Sequence, residues 1–101
     1  MTEIEFAEQI EAVCRRPKMY TPNGTFFENY CFLDGLGIGA LENRYSHSAF
    51  TPFLNWLAPP DEHGRTMPIS VHEFREQFSS DEEALTKFAA LFRQYVESKT
   101  E

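Results

Sequence analysis

Histidine and cysteine are the side chains in this sequence that could most readily catalyse a reaction or bind a metal ion. The chain has three histidines, His47, His63 and His72, and two cysteines, Cys14 and Cys31. The cysteines do not form a Cys-x-x-Cys pair, and the His-Glu step at position 72 lacks the second histidine of a His-Glu-x-x-His zinc motif. A serine or cysteine nucleophile would need a histidine base beside it, and no such arrangement stands out. We therefore predict that the protein is not an enzyme and holds neither a metal ion nor a cofactor.

Carboxylates outnumber basic side chains and include two short runs. Sixteen Asp and Glu against nine Lys and Arg give a formal net charge of −7, which argues against nucleic acid as a partner because phosphate contacts need a basic face. The runs Asp61-Glu62 and Asp81-Glu82-Glu83 fall in a turn-rich loop and at a predicted helix start. Acids at a helix start oppose the helix dipole, which is a sufficient structural reason for the second run. The functional alternative is an acidic surface for a protein partner, formed by Asp61, Glu62, Asp81 and Glu82.

Asp34 and Gly35 begin a run in which glycine alternates with apolar residues as far as Gly39. A dinucleotide-binding loop needs Gly-x-Gly-x-x-Gly between a strand and a helix, and here both the spacing and the strand are missing. A glycine inside a helix costs about 1 kcal/mol, which fits small residues that let this helix approach a neighbour closely. Asp34 would then pair with Arg15 or Arg16, or accept a hydrogen bond from a backbone N–H.

The segment Arg16–Tyr20 reads Arg-Pro-Lys-Met-Tyr and lies in the only basic cluster of the chain. Pro17 ends the first predicted helix, because the residue before a proline avoids helical geometry. One interpretation is a packing lock, in which Met19 and Tyr20 tuck under other helices while Arg16 caps a helix end or holds a carboxylate. The other is a recognition surface, because Tyr and Arg are frequent at interface hot spots.

Trp56 is the only tryptophan and precedes a polar, turn-rich stretch from Asp61 to Pro68. We favour a core position for it, because a large aromatic side chain supplies much of the buried area of a small domain. A contact with a partner protein is the alternative, because Trp is enriched at interface hot spots.

The sequence also predicts a compartment. The first residues are acidic where a secretory leader would be basic, and no apolar run approaches the roughly 20 residues of a membrane-spanning helix. We therefore expect a cytoplasmic protein without a membrane partner, whose cysteines are reduced and packed in the core.

Apolar residues recur at helical spacing along almost the whole chain, and alternating strand patterns are scarce. The capping box Ser/Thr-x-x-Glu satisfies unpaired N–H groups at helix starts and occurs at Thr2–Glu5, Thr25–Glu28, Ser70–Glu73 and Ser80–Glu83. The predicted helices are Glu3–Arg16, Phe26–Asn43, a short one from Thr51, Val71–Phe78 and Asp81–Ser98. Thr51 is the predicted cap of the short helix, with Pro52 at its first helical position. We predict an all-α fold, a single small domain over residues 1–101 with about four to five helices. A bundle and an orthogonal array stay open, as does a short strand at 66–71.

Each of the longer predicted helices has an apolar stripe that should face the core. On the first helix the stripe is Phe6, Ile10, Val13 and Cys14. On the second it is Phe27, Tyr30, Cys31, Ile38 and Leu41, with Asp34 among them. On the last it is Leu85, Phe88, Ala89, Phe92, Tyr95 and Val96.

Several segments match, in order, a group of small bacterial proteins. They are Arg16-Pro17-x-Met19-Tyr20, Phe32-Leu33-x-Gly35, Phe50-x-x-Phe53-x-x-Trp56-Leu57 and the terminal helix from Asp81-Glu82-Glu83-Ala84-Leu85 to Tyr95. On these segments the chain resembles the immunity-type proteins of polymorphic toxin systems. Lys18 stands where that pattern usually has glycine, and Leu36 where it has an aromatic residue. The resemblance implies a protein that neutralises a toxin by occupying it, and it carries over no particular binding residue.

The expected function is therefore binding and neutralisation of a cognate bacterial toxin, for example a basic nuclease-type domain, without catalysis. An acidic protein would gain fast association with such a partner. The alternative is a helical adaptor or a homodimerising regulatory module, with Trp56 and the Phe-rich faces forming a self-interface. Whether the chain is a monomer or a homodimer is left open by the sequence.

Overall fold

Five α-helices form the part of the chain that the computed structural model describes, which is residues 2–40, 49–58, 63–64 and 69–99. Their bounds are Glu3–Arg15 (α1), Phe26–Ala40 (α2), Thr51–Leu57 (α3), Val71–Glu76 (α4) and Asp81–Ser98 (α5). A single 3₁₀ turn, Pro17–Met19, follows α1. No strand occurs in these ranges, and the prediction of a small all-α domain is confirmed.

The predicted caps begin the helices. Thr2 forms a complete capping box with Glu5, and Thr25 forms one with Glu28 before α2. Before α4 and α5 only one of the two hydrogen bonds of the capping box is present. In it the hydroxyls of Ser70 and Ser80 accept from the backbone N–H groups three residues later. These local bonds explain why the starts of the helices could be predicted closely from the sequence.

The helix ends agree less well. Helix α1 ends at Arg15 and α4 at Glu76, before the predicted ends. The predicted end of α2 at 41–43 lies outside the described residues. Phe50 rather than Thr51 stands at the cap position of α3, so Pro52 is one position later than predicted. Of the ambiguous stretch 66–71, the described residues Ile69 and Ser70 are irregular and Val71 begins α4.

One aromatic core joins all five helices. Helix α1 packs most extensively against α5, and the ring of Phe6 on α1 contacts Phe92 on α5 at 5.5 Å between centroids. Phe88 on α5 is the centre of this core, with rings from the other elements around it: Phe26, Tyr30, Phe50, Phe53 and Phe74. The predicted stripes of α1 and α5 are buried here, except that Cys14 is half-buried. The radius of gyration of 13.4 Å is close to the ~13 Å of a folded chain of 100 residues.

The predicted buried face of α2 is only partly right, because Phe27 and Tyr30 pack against the core but Cys31 and Ile38 do not. Among the described side chains of the helix, those of Phe26, Asn29 and Leu33 are fully buried, whereas Cys31 and Ile38 are exposed and Phe27 and Tyr30 are half-buried. The helix is apolar around most of its circumference, so periodicity alone does not select the face that meets the core. The remaining stripe residue, Leu41, lies outside the described residues.

The glycines of α2 have different surroundings. A Cβ at Gly37 would lie 2.5 Å from Cβ of Ala49 and 2.8 Å from Cζ of Phe6, so the predicted close approach occurs there. A Cβ at Gly35 or Gly39 would meet no atom of the described residues within 4 Å, so the predicted close approach does not occur there within that part of the chain. Beside Gly37, the Oδ1 atom of Asp34 accepts a hydrogen bond from the backbone N–H of Ala49 at 2.7 Å.

No described helix is both long enough and apolar enough to cross a membrane.

Candidate functional site: a groove beside the Pro17–Met19 turn

The chain turns sharply after α1, and two residues downstream hold the turn. Arg16 leaves the helical conformation (φ −136°, ψ 62°), and the 3₁₀ turn follows. The backbone N–H and the hydroxyl of Thr21 both donate to the carbonyl oxygen of Pro17, at 3.2 and 3.1 Å. Gly24 has a positive φ of 67°, and a Cβ there would lie 2.7 Å from Cγ of Lys18. Glycine at this position therefore lets the loop fold back onto the turn.

Met19 and Tyr20 do not lock the turn into the core. Met19 is 68% exposed and Tyr20 is 42% exposed, so the predicted packing lock is wrong. The Tyr20 ring lies against the ring of Phe32 on α2 at 5.8 Å, and Phe32 is itself 40% exposed. We call these three side chains the apolar patch.

A groove runs from this turn along the junction of α1 and α5. Its wider part has a volume of about 700 Å³ and is lined by Cys14, Arg15, Arg16, Pro17, Lys18, Met19, Asn23, Gly24, Asp81, Glu82 and Thr86. A second part of about 420 Å³ shares Cys14, Arg15 and Thr86 with it and adds Glu11, Ala89 and Ala90. We call the two parts together the α1–α5 groove.

Two acids that line the groove already have partners inside the protein. Asp81 Oδ1 accepts from the backbone N–H of Phe26 and from Nε of Arg75, each at 3.0 Å. The Phe26 N–H is the larger cause that lowers the pKa of Asp81, and Arg75 adds to it. Glu11 accepts two hydrogen bonds from the guanidinium of Arg93, at 2.6 and 3.0 Å, which lowers its pKa in the same way.

The basic residues of the groove have no such partners. Arg15, Arg16 and Lys18 are all exposed, and none of them forms an ion pair with a carboxylate of the described residues. The Arg16 guanidinium contacts Sδ of Met19 at 3.9 Å. Arg15 contributes only a long-range interaction that helps to lower the pKa of Glu11. One wall of the groove therefore carries unneutralised positive charge.

The groove brings two of the sequence-predicted groups together. Arg16, Pro17 and Met19 from the first turn and Asp81 and Glu82 from the start of α5 all line it. Because the carboxylate of Asp81 is bound internally, it joins α2, α4 and α5 instead of being free for a partner. Glu82 is the exposed acid of the pair.

The other predicted site residues lie elsewhere. Trp56 is 43% exposed, so the favoured core position is wrong; it packs at the core's edge against Phe53 and Tyr95, at 6.3 and 5.5 Å between ring centroids. Asp34 and Gly35 are on α2 and do not line the groove. The predicted contacts Asp61 and Glu62 lie outside the described residues.

Sequence reasoning missed the part that Lys18, Asn23 and Thr86 have in the groove. The basic cluster was visible in the sequence, and it was the only available signal. Thr86 and Asn23 carry no pattern of their own, because they reach the groove only through the packing of α5 and the loop against α1.

The described side chains that line the groove are mostly charged, polar or apolar, and Cys14 is the one thiol among them. Burial raises the pKa of the Cys14 thiol to about 12, so it is not a thiolate near neutral pH. In the described ranges, no three side chains among His, Cys, Asp and Glu are grouped to hold a metal ion. What the arrangement offers is charged and apolar surface.

No protein-family model, no curated protein and no solved structure is significantly similar to this chain.

Proposed function

We propose that this protein acts by binding another protein without catalysis, as an immunity-type inhibitor of a cognate bacterial toxin. The observation that carries the proposal is the apolar patch of Met19, Tyr20 and Phe32, which lies exposed beside the charged α1–α5 groove. An apolar centre with a polar rim is the usual anatomy of a protein–protein interface.

The apolar patch places three exposed apolar side chains near one another in a domain that buries most of its aromatic rings. Single exposed apolar residues are common, whereas adjacent ones mark interaction surfaces. Tyrosine supplies a rigid amphipathic ring, and methionine adapts its shape to a partner. Tyr20 and Met19 are therefore suited to be the anchors of a bound toxin.

The charge of the molecule supports the same proposal. A net charge of −7 would steer the protein toward a basic toxin domain and speed association. Glu82, together with Asp61 and Glu62, stays a candidate contact of that kind. We place this encounter in the cytoplasm, where a toxin domain would otherwise act on the producing cell.

The test is capture of a partner by the tagged protein from its source cells, followed by co-expression. We expect one large protein with a toxic C-terminal domain, and we expect this chain to restore growth when that domain is expressed. Tyr20→Ala and Met19→Ala should each weaken the complex about tenfold, as expected for interface anchors. Ile38→Ala is the matched control, because Ile38 is 42% exposed but lies outside the patch.

Two results would contradict the proposal. One is recovery of the chain alone. The other is a captured partner that is bound and neutralised equally well when Tyr20, Met19 or Glu82 of this chain is substituted. Trp56→Ala separately tests the other predicted contact, because the side chains of Trp56 and Tyr20 are almost equally exposed, at 43% and 42%.

A second candidate function is self-association through the outer face of α2. Phe32 and Ile38 are exposed on this helix, and Gly35 between them leaves open space for a neighbouring backbone. A homodimer would have twice the chain mass of 11.7 kDa in light scattering, and Phe32→Asp should return it to a monomer. A monomer at all concentrations would exclude this candidate.

A further inference from the structure

We propose that the α1–α5 groove binds an extended, carboxylate-bearing peptide segment of a partner protein. This goes beyond the proposed function, because it assigns a chemistry to the occupant of the groove and holds whether or not the partner is a toxin. The contact proposed here uses basic side chains of this chain, whereas the surface predicted from the net charge is acidic.

The argument begins with the charges that line the groove. Asp81 is neutralised by Arg75, and Glu11 by Arg93, at N–O distances of 3.0 and 2.6 Å. The cations Arg15, Arg16 and Lys18 have no carboxylate within 4.0 Å among the described residues. Glu82 is therefore the one groove acid in the described part of the chain without a cationic partner, and the groove keeps an excess of positive charge.

This excess is notable because the whole chain carries a net charge of −7. Among the described residues, Arg75, Arg93 and Lys99 each form an ion pair with a carboxylate. Four described cations do not, and three of them, Arg15, Arg16 and Lys18, share one concave surface, whereas Lys87 lies outside it. A bound anionic group would complete their charge pairing.

The shape of the groove favours an extended segment over a small ion. Along α5 it reaches from Asp81 to Ala90, a distance of about 13 Å at 1.5 Å per helical residue. An extended peptide covers that length with about four residues at 3.3 Å each. Met19 and Pro17 at the end near the turn would contact an apolar side chain of the same segment.

The same features disfavour a nucleic acid. A polyphosphate needs a continuous basic face, whereas here the cations come from α1 and its following turn, and Glu82 of α5 lines the same groove. A peptide can place its carboxylates beside those cations alone and keep uncharged groups toward Glu82.

The test uses defined peptides and the full chain. The probe is an acetylated, amidated peptide of one leucine and four glutamates, and its control has four glutamines in place of the glutamates. We expect the acidic peptide to shift the backbone amide NMR signals of Arg15, Lys18 and Thr86. We expect the glutamine peptide to bind at least about fivefold more weakly, and added salt to weaken the acidic one.

A matched pair of charge reversals separates local from overall electrostatics. Lys18→Glu and Lys87→Glu change the net charge equally, and both side chains are exposed, but Lys87 does not line the groove. We expect Lys18→Glu to weaken the acidic peptide about tenfold and Lys87→Glu less than twofold. Arg16→Gln is a milder variant that removes one charge, should Lys18→Glu disturb the turn.

The outcomes are decisive in each direction. Equal binding of the two peptides, or equal effects of Lys18→Glu and Lys87→Glu, would overturn the proposal, as would no binding at millimolar peptide. A Lys18→Glu variant that no longer binds the acidic peptide but still inhibits a toxin would support the groove proposal. It would also show that the immunity function does not depend on the groove.

Discussion

The two cysteines show how strongly the reactivity of a thiol depends on its burial. Sequence analysis placed both in the core, whereas Cys14 is half-buried in the α1–α5 groove and Cys31 is exposed on α2. Burial raises the pKa of Cys14 to about 12. A thiol reacts as its thiolate, so the two residues should differ strongly in reactivity.

We predict that an aromatic disulfide reagent at pH 8 modifies Cys31 rapidly in the folded protein and Cys14 at least about a hundredfold more slowly. Absorbance of the released thiolate measures both phases. Cys31→Ser should abolish the fast phase and leave the slow one, and unfolding in urea should make the two rates similar. A fast phase that persists in Cys31→Ser would show that Cys14 is accessible.

Asp81 and Glu82 are adjacent acids with different roles. Asp81 accepts from the Phe26 N–H and from Arg75, whereas Glu82 is exposed. The folded pKa of Asp81 is lowered, so its contribution to stability is present above the pKa of the unfolded carboxyl. That contribution is lost as the pH falls through the folded value.

We predict that Asp81→Asn lowers the free energy of unfolding at pH 7 and reduces its fall on acidification below about pH 4. Urea unfolding at a series of pH values measures both effects. Glu82→Gln removes the same charge next to it and should leave stability nearly unchanged. Equal pH profiles for wild type and Asp81→Asn would contradict the role assigned to Asp81.

At the scale of the element, α2 shows why a helix can be predicted while its orientation cannot. Its capping box at Thr25 and Glu28 is local in sequence, and the helix begins at Phe26. Its apolar residues surround the axis, so the packing of α1 and of Ala49 decides which glycine lies against the core. That glycine is Gly37.

We predict opposite effects for alanine at two glycines of α2. Gly37→Ala would force a Cβ to within 2.5 Å of Ala49 Cβ, and we expect it to destabilise the fold by about 1–3 kcal/mol. Gly35→Ala meets open space and should stabilise it by about 0.5–1 kcal/mol, because alanine favours the helix. Chemical unfolding measures both, and destabilisation by Gly35→Ala would indicate a contact at that face.

At the scale of the whole molecule, the helices depend on one aromatic core. Phe88 is 1% exposed and touches rings from α2, α3 and α4, which reach it from distant parts of the chain. A helix of six or seven residues, such as α4 or α3, is not stable in isolation. These short helices therefore form only because the core holds them.

We predict that Phe88→Ala lowers the free energy of unfolding by about 3–5 kcal/mol, a large part of the ~5–15 kcal/mol of a typical domain. Far-UV and near-UV circular dichroism should be lost in one coincident transition. Phe32→Ala is the matched control, because the same residue type is 40% exposed there, and its cost should stay below about 1 kcal/mol. Separate transitions for different helices would contradict a single core.

The sequence by itself determined the features that depend on near neighbours in the chain. The capping residues predicted where α1, α2, α4 and α5 begin, and Pro17 predicted the end of α1 to within one residue. The stripes of α1 and α5 could be identified because polar residues occupy their other faces, which leaves one orientation that buries apolar area.

Only the tertiary structure decided which surfaces remain for a partner. Met19, Tyr20 and Trp56 are apolar enough for a core, and whether they are buried depends on the space left by Phe26, Phe50 and Phe88. The α1–α5 groove has the same origin, because residues far apart in the chain form it. Asp81 is held by the Phe26 N–H and Arg75, and Lys18 has no carboxylate partner among the described residues. The reason is that hydrogen bonds and ion pairs form only between groups that the packing of the helices brings within about 3–4 Å.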